Sequence, residues 1–339
     1  MKTDTFDYHL PAELIAQDPL PVRDASRLLV LDRSSGEVSH RVFGDLPQLL
    51  QSGDCLVLNT TRVLPARLQG LKQPGGGSVE LLLLESLGGS TWKAMTRGAS
   101  LRPGVRVTFA GGRLEATVLE GPAEGIVQVE LTAEGDVGHA IDEAGSVPLP
   151  PYITHELVDP ERYQTVYARR ELSAAAPTAG LHFTADLLDR VGSQGVDFAR
   201  LELAVGMDTF VPVREEQVED HRMHQEWFSL DQECADNINA ARPRGGRVIA
   251  VGTTSVRVLE TCADGRRVAP ASGRTGLFIT PGYGFKAVDA LITNFHFPRS
   301  TLLMLVCAFA GTERVLSAYS EAVRERYRFY SFGDAMLVT

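Results

Sequence analysis

The sequence predicts an α/β protein interrupted by a small antiparallel β-barrel. Three observations predict it. Short apolar runs of strand length alternate with helical segments near the N-terminus and again after Pro148. Between these regions lie many short alternating runs cut by glycine- and proline-rich turns, the texture of a small antiparallel barrel. The length of 339 residues suits two domains at roughly 100–200 residues each. The expected organisation is residues 1–65 as the first part of a catalytic α/β domain, 66–148 as the inserted barrel, and 149–339 as the second part.

In the first part, Leu28–Leu31 reads as a short apolar strand and Leu46–Leu50 as a helical piece ending before Gly53. Cys55–Leu58 reads as a strand running into Asn59-Thr60-Thr61-Arg62. In the insertion, Val79–Leu84, Trp92–Met95, Val105–Phe109, Leu114–Leu119 and Ile126–Leu131 are the strand runs. Gly75-Gly76-Gly77, Gly88-Gly89, Pro103-Gly104 and Gly111-Gly112 separate them. Beyond Pro148, Thr184–Val191 is a helix with Thr184 as N-cap, because a threonine hydroxyl satisfies an open N–H of the first turn. Phe198–Val205 and Arg247–Val251 are strands, the latter followed by Gly252-Thr253-Thr254 and a helix over Ser255–Thr261. Leu277–Ile279 and Leu291–Ile292 are expected strands. Ser300 caps an apolar helix that reaches Phe309 and ends at Gly311, where glycine suits a left-handed terminus. Glu313–Arg326 is an amphipathic helix.

Hydrophobic residues make up 44% and charged residues 22%, which excludes a wholly disordered chain. No apolar run reaches the roughly 18 residues a membrane span needs; Leu302–Ala310 is too short, and Met1–Tyr8 has no apolar signal core. No membrane association is expected, and a monomer is. Cys55, Cys234, Cys262 and Cys307 are far apart with no CxxC spacing, so buried, reduced thiols and a cytoplasmic setting are expected. The net charge is −10, which argues against broad nucleic-acid binding and leaves room for a local basic patch facing one RNA. Arg169, Arg170, Arg222 and Arg299 are the candidates for that patch.

No GxGxxG, GxxxxGK[ST] or GxSxG motif is present, which disfavours dinucleotide enzymes, P-loop NTPases and nucleophile-elbow hydrolases. Four stretches carry chemistry instead. The first is Ala174-Ala175-Ala176-Pro177-Thr178-Ala179-Gly180-Leu181-His182-Phe183. Small residues around Gly180 let the backbone approach a ligand, Thr178 offers a hydroxyl, and His182 titrates near neutrality. The plain alternative is a turn before a helix with a surface histidine. The second is His221-Arg222-Met223-His224-Gln225-Glu226. In an extended segment His224 and Glu226 share a face and His221 points away, poor geometry for one metal ion. Hydrogen-bonding or acid–base roles for His224 and Glu226 are preferred. The third is Gly252-Thr253-Thr254-Ser255-Val256-Arg257, a strand–turn–helix start that suits an anion or carboxylate, with Arg257 able to add a bidentate contact. Simple capping by Thr254 or Ser255 is the alternative. In the fourth, Thr293-Asn294-Phe295-His296-Phe297-Pro298-Arg299-Ser300, Asn294 and His296 share a side. The interleaved aromatics suit stacking on a base, or simply form a strand end with core rings.

Together these stretches resemble one family, the S-adenosylmethionine:tRNA ribosyltransferase-isomerases of queuosine biosynthesis. The match runs from Phe6-Asp7-Tyr8 through Arg23-Asp24-Ala25-Ser26-Arg27-Leu28-Leu29 to Tyr327–Met336, nearly the whole chain. The resemblance implies a barrel-like α/β catalytic domain with the inserted β-barrel. It implies S-adenosylmethionine as co-substrate, no metal, and a tRNA partner with a 7-deazaguanine wobble base. The ribosyl part of S-adenosylmethionine would pass to the aminomethyl group of that base, giving epoxyqueuosine and releasing adenine and methionine. A sulfonium acidifies the neighbouring C5′ protons, so the site needs a base there, a proton donor at adenine and an anchor for a carboxylate. His182, His224, Glu226 and His296 are the acid–base candidates. Thr253, Thr254 and Arg257 are the anchoring candidates, with Asn59, Arg62, Thr178, Gly180, Asn294 and Asp208 as further substrate-binding residues.

The chain departs from the family pattern at four places. Thr60 stands where an aspartate is usual, Ala204 where a histidine is usual, and Asp208 and Leu172 where glycines are usual. Asp208 at a left-handed position costs about 1 kcal/mol, and as a newly gained carboxylate it is expected to compensate for the one missing at Thr60. A paralogue using S-adenosylmethionine or a related nucleoside with another acceptor, and a catalytically silent binding protein, are the alternative readings.

Overall fold

The computed structural model describes residues 1–123, 125–206 and 212–339. The chain divides into two compact units, one of residues 1–62, 150–170 and 176–339, the other of residues 63–149 and 171–175. No single helix among the described residues is long and apolar enough to cross a membrane. All four cysteines are free and buried.

The first unit is built on a nine-stranded mixed sheet. Its strands are β1 Arg27–Leu31, β2 Val38–Val42, β3 Cys55–Asn59, β4 Asp197–Leu203, β5 Glu226–Leu230, β6 Val248–Val251, β7 Ala271–Thr275, β8 Ala290–Asn294 and β9 Ala335–Val338. Their spatial order is β7-β5-β4-β3-β6-β8-β9-β1-β2. At the centre, β4, β3, β6 and β8 run parallel, with Leu201 beside Asn59, and Val251 beside both Leu58 and Ile292. Every residue of β3, β6 and β8 is buried, as continuous apolar runs such as Val-Ile-Ala-Val require when both faces of a parallel sheet are covered. Helices α1 Ala185–Ser193, α2 Gln232–Ala241, α3 Thr253–Thr261, α4 Thr301–Ala310 and α5 Thr312–Arg324 belong to the same unit. Thr184, Asp231 and Ser300 cap α1, α2 and α4 by accepting from backbone N–H groups of the first turn, as the sequence indicates for Thr184 and Ser300. The core joins Leu56, Leu58, Ile249, Val251, Ile292 and Leu337 to Phe43, Phe183, Leu187 and Val191.

The second unit is a closed antiparallel barrel of six strands, Arg67–Gln73, Ser78–Gly88, Thr91–Gly98, Arg106–Phe109, Leu114–Ala123 and Ile126–Ala133. Closure comes from Arg67–Gln73, which pairs with both Ser78–Gly88 and Arg106–Phe109. Alternate residues fill the interior, among them Leu68, Leu81, Ala94, Val107, Leu114, Ala116, Val118, Val127 and Val129, the period of two that a barrel wall imposes.

One expected strand is absent. Leu277–Ile279 is irregular, and the strand nearby is β7, paired antiparallel with β5. The carbonyls of Thr275 and Leu277 accept from the Arg257 guanidinium, so the backbone there follows a side chain instead of a strand partner.

Candidate active site at the carboxyl ends of the parallel strands

Parallel strands bring their last residues to one edge of a sheet, and that edge is where open α/β sheets bind ligands. Here β4, β3, β6 and β8 end at Leu203, Asn59, Val251 and Asn294. A cavity of about 30 Å³ opens at this edge, lined by Pro177, Thr178, Val205, Thr253, Thr254, Asn294 and His296 among others.

Two strand ends shape the floor. Gly252 turns the chain from β6 into α3 at φ +88°, a left-handed angle that favours glycine. No side chain caps the first turn of α3. The positive end of its dipole is therefore presented beside Thr253 and Thr254. Between β3 and β4, Asn59 is a clamp. Its Nδ2 donates to the carbonyl of Leu203 at 3.0 Å and to Thr254 Oγ1 at 3.5 Å, and its Oδ1 accepts from Leu203 N at 3.1 Å and Thr61 N at 3.2 Å. The amide thereby fixes the strand ends that carry the site.

Beyond β8 the chain places Asn294 and His296 against the same cavity, as their alternation indicates. His296 is buried; its Nε2 lies 2.7 Å from Thr293 Oγ1, its N–H donates to Tyr319 Oη at 3.0 Å, and its carbonyl accepts from Tyr8 Oη at 2.5 Å. Burial pushes its imidazole down to about 3, so the ring is neutral at pH 7. Asn294 Nδ2 donates to His182 Nε2 at 3.1 Å and to the Tyr330 carbonyl at 3.2 Å. An amide N–H₂ only donates, so His182 Nε2 is the unprotonated nitrogen and its Nδ1–H faces Ser26 Oγ at 2.8 Å. His182 stacks on Phe43 at 5.0 Å, and burial, reinforced by the charges of Arg328 and Arg23, pushes it down to about 3. The remaining oxygen, Asn294 Oδ1, is buried with no hydrogen-bond partner among the described residues. Such an atom is costly unless a bound group satisfies it.

His182 lines a different cleft, with Arg23, Ser26, Arg162 and Arg328, and reaches the cavity through Asn294. Gly180 does not line the cavity either. A Cβ at Gly180 would lie 2.0 Å from the Tyr167 hydroxyl, so what approaches the backbone there is a neighbouring tyrosine, not a ligand.

Glu226 and Arg257 form a separate buried pair, with the half-buried His224 beside it. Arg257 Nη1 is paired with Glu226 Oε2, Nε donates to the Leu277 carbonyl and Nη2 to the Thr275 carbonyl, both at 3.2 Å. Glu226 Oε1 also accepts from Gly206 N at 2.9 Å, and His224 Nε2 lies 3.3 Å away. Burial raises the Glu226 carboxyl, but His224, Arg257 and the Gly206 N–H together hold it below the usual carboxylate range. Glu226 is therefore ionised and held by partners, and the Arg257 guanidinium is engaged before any substrate carboxylate could reach it. Sequence alone suggests Arg257 as an anion clamp because it follows a helix start; its direction into the cluster is a tertiary fact.

Arg62 is paired with Glu161. Thr60 is buried, and its Oγ1 donates to the Leu201 carbonyl at 3.2 Å, a bond an ionised carboxylate at that position could not make. Ala204 is half-buried, with its N–H on the Trp227 carbonyl, and Leu172 is half-buried in the second unit. Asp208 lies outside the described residues. Of the four arginines expected to form a basic patch, Arg299 pairs with Asp7 and Asp4, and Arg170 with Glu202, so two are neutralised. Among the described residues no group of three or more His, Cys, Asp or Glu side chains could hold a metal ion.

A much larger cleft, about 680 Å³, is lined by Tyr8, Leu10, Phe297, Pro298 and Tyr330 with Asp7 and His9. It begins one residue beyond His296. Tyr330 holds φ +72°, a strained angle for an aromatic residue, and stacks on Phe297 at 3.7 Å. Tyr8 and Tyr330 stand in family-like strings of the sequence, but only the fold brings them beside His296.

A family model described as queuosine biosynthesis protein matches residues 3–338. Proteins named S-adenosylmethionine:tRNA ribosyltransferase-isomerase are similar along the whole chain. That of Acetivibrio thermocellus is 52% identical over 340 residues, covering 100% of both chains. That of Symbiobacterium thermophilum is 54% identical over 341 residues, also covering 100% of both. That of an Anaeromyxobacter species is 56% identical over 345 residues, covering 100% of this chain and 99% of the relative. Among solved structures, the S-adenosylmethionine tRNA ribosyltransferase of Thermotoga maritima is 40% identical, covers 99% of this chain and 100% of its own, and superposes with a TM-score of 0.58.

Proposed function

The chain belongs to the queuosine biosynthesis protein family, and from that premise we propose that it is an S-adenosylmethionine:tRNA ribosyltransferase-isomerase acting at the edge where β4, β3, β6 and β8 end. Its substrates are S-adenosylmethionine and a tRNA carrying an aminomethyl-deazaguanine base, and adenine and methionine leave. The observation that carries the assignment of the site is Asn294. Its buried Oδ1 waits for a donor, while its Nδ2 is fixed by His182 and Tyr330.

The roles follow from that geometry. Asn294 Oδ1 accepts from a substrate N–H, and His182, held by Ser26 and Phe43, positions the amide. His296 is neutral and sits between Thr293 and the cavity, so its imidazole offers a hydrogen bond to a substrate group there. Thr178, Thr253 and Thr254 offer hydroxyls, and the open start of α3 favours negative charge. The inner cavity, about 30 Å³, holds only a reacting end; the cleft lined from Phe297 onward, about 680 Å³ and walled by Tyr8, Phe297 and Tyr330, has the volume for a nucleoside and rings for a base. His224, Glu226 and Arg257 brace the neighbouring strands.

The test is mass spectrometry of small-molecule products with and without tRNA bearing the deazaguanine base. Release of adenine and methionine only with that tRNA is expected. Turnover independent of tRNA would favour another acceptor, and no turnover under either condition would sink the assignment.

A further inference from the structure

The cleft behind His182 gathers positive charge in a chain of net charge −10. Arg23, Arg162 and Arg328 line it, with Ser26, His182 and Ser331. Arg23 donates to the carbonyls of Leu181 at 3.1 Å and Glu161 at 2.8 Å, and Arg162 to those of Leu20 at 2.5 Å and Pro21 at 3.3 Å. Carbonyl dipoles aim a guanidinium without cancelling its charge. Asp334 reaches Arg328 only at 3.4 Å, and its oxygens also accept from the backbone N–H groups of Arg27 and Arg328. Arg162 Nε is buried with no hydrogen-bond partner among the described residues. Burial and then the neighbouring Arg162 charge push Arg23 down, and Asp159 and Glu161 offset only part of this. Two arginines held together this way repel each other until an anion lies between them.

We propose that this cleft is an oxyanion subsite, distinct from the cavity at Asn294 and His296, which takes one phosphate or carboxylate group of a substrate. Its enclosed space is about 20 Å³, enough for one such group at the mouth and too small for a nucleoside. Planar guanidinium forks suit the paired oxygens of either group. The identity of the donor molecule rests on the ribosyltransferase reading: an RNA phosphate or the carboxylate of S-adenosylmethionine. The existence of the subsite does not depend on that reading.

The probe is inorganic phosphate, titrated against the full chain in a thermal melt, with chloride at matched ionic strength as control. The variants are Arg328→Gln, whose side-chain contacts are the longest of the three, and Arg162→Lys, which keeps the charge and removes the fork. Phosphate should raise the melting temperature beyond chloride, and both variants should weaken its apparent affinity by about tenfold. In turnover assays an RNA phosphate would appear as an approximately tenfold higher KM for tRNA in both variants and, in the charge-removing Arg328→Gln alone, a salt slope smaller by about one. A carboxylate would appear as a comparable rise in KM for S-adenosylmethionine alone. A phosphate shift no greater than that of chloride, or one surviving in both variants with both KM values unmoved, would overturn the proposal. A wild-type chain that binds phosphate through these arginines yet shows no turnover would sink the ribosyltransferase reading and leave the subsite standing.

Discussion

Replacing Arg257 with methionine tests whether the third sequence motif serves the substrate or the fold. Both members of the Arg257–Glu226 pair are about 4% exposed. Removing one partner of a buried pair costs about 3–5 kcal/mol, because the other charge is left unmatched in a low dielectric. The carbonyls of Thr275 and Leu277 lose their donor as well, at about 1 kcal/mol each. At roughly 2–4 °C per kcal/mol for a unit of this size, the melting temperature of Arg257→Met should fall by about 10–30 °C. The double variant Glu226→Leu with Arg257→Met leaves no unmatched charge, so its loss should fall short of the summed single losses by about 3 kcal/mol. The pH dependence adds a check. Glu226 is held below its ordinary range in the folded chain, so its stabilisation is full above the unfolded carboxylate pKa and is lost as pH falls through the lower folded value. Urea unfolding of the four proteins of the cycle, with KM for S-adenosylmethionine, is the assay. Strict additivity, or a single-variant cost under about 1 kcal/mol, would refute the buried-pair argument. A tenfold rise in KM for Arg257→Lys at unchanged stability would return Arg257 to the role of substrate anchor.

Two further outcomes are expected. His182 and His296 are pushed down to about 3 by burial, below the unfolded value of about 6.5. The unfolded chain therefore binds protons the folded chain refuses, and stability is full above about pH 6.5 and declines steadily as the pH falls toward the folded values; the urea midpoint should track this, and an unchanged slope in His182→Gln would show that the imidazole is not buried and neutral. Gly180→Ala would put a Cβ 2.0 Å from the Tyr167 hydroxyl, 2.8 Å from Thr165 Cγ2 and 2.9 Å from Tyr167 Cζ and should cost about 1–3 kcal/mol, only part of it recovered by Tyr167→Phe because the other two contacts remain; lost substrate binding at unchanged stability would instead restore the view that a ligand approaches this glycine.

Much of the fold is legible in local sequence because periodicity and capping act over a few residues. The runs Cys55–Leu58, Arg247–Val251 and Leu291–Ile292 are apolar enough to declare buried strands, and Thr184 and Ser300 announce helix starts that the structure contains. Edge strands are not legible in this way. Val-Ser-His-Arg-Val in β2 and Ala-Ser-Gly-Arg-Thr in β7 bury little, so no hydrophobic pattern marks them, and the glycine- and proline-rich turns of the barrel announce strands without saying which two close it.

By itself the sequence determined the family, the α/β frame with its inserted barrel, and the set of polar residues from which a site is drawn. Asn294 and His296 were legible as a pair because two residues on an extended segment share a face. Direction was left to the tertiary structure. Arg257 and Glu226 turn toward each other, Gly180 meets Tyr167, and His182 stands behind Asn294 beside Arg23 and Arg328. The physical reason is that residue type and spacing define what a side chain is able to bind, whereas the partner it finds comes from elements far along the chain, as Asn294 and His182 do across 112 residues.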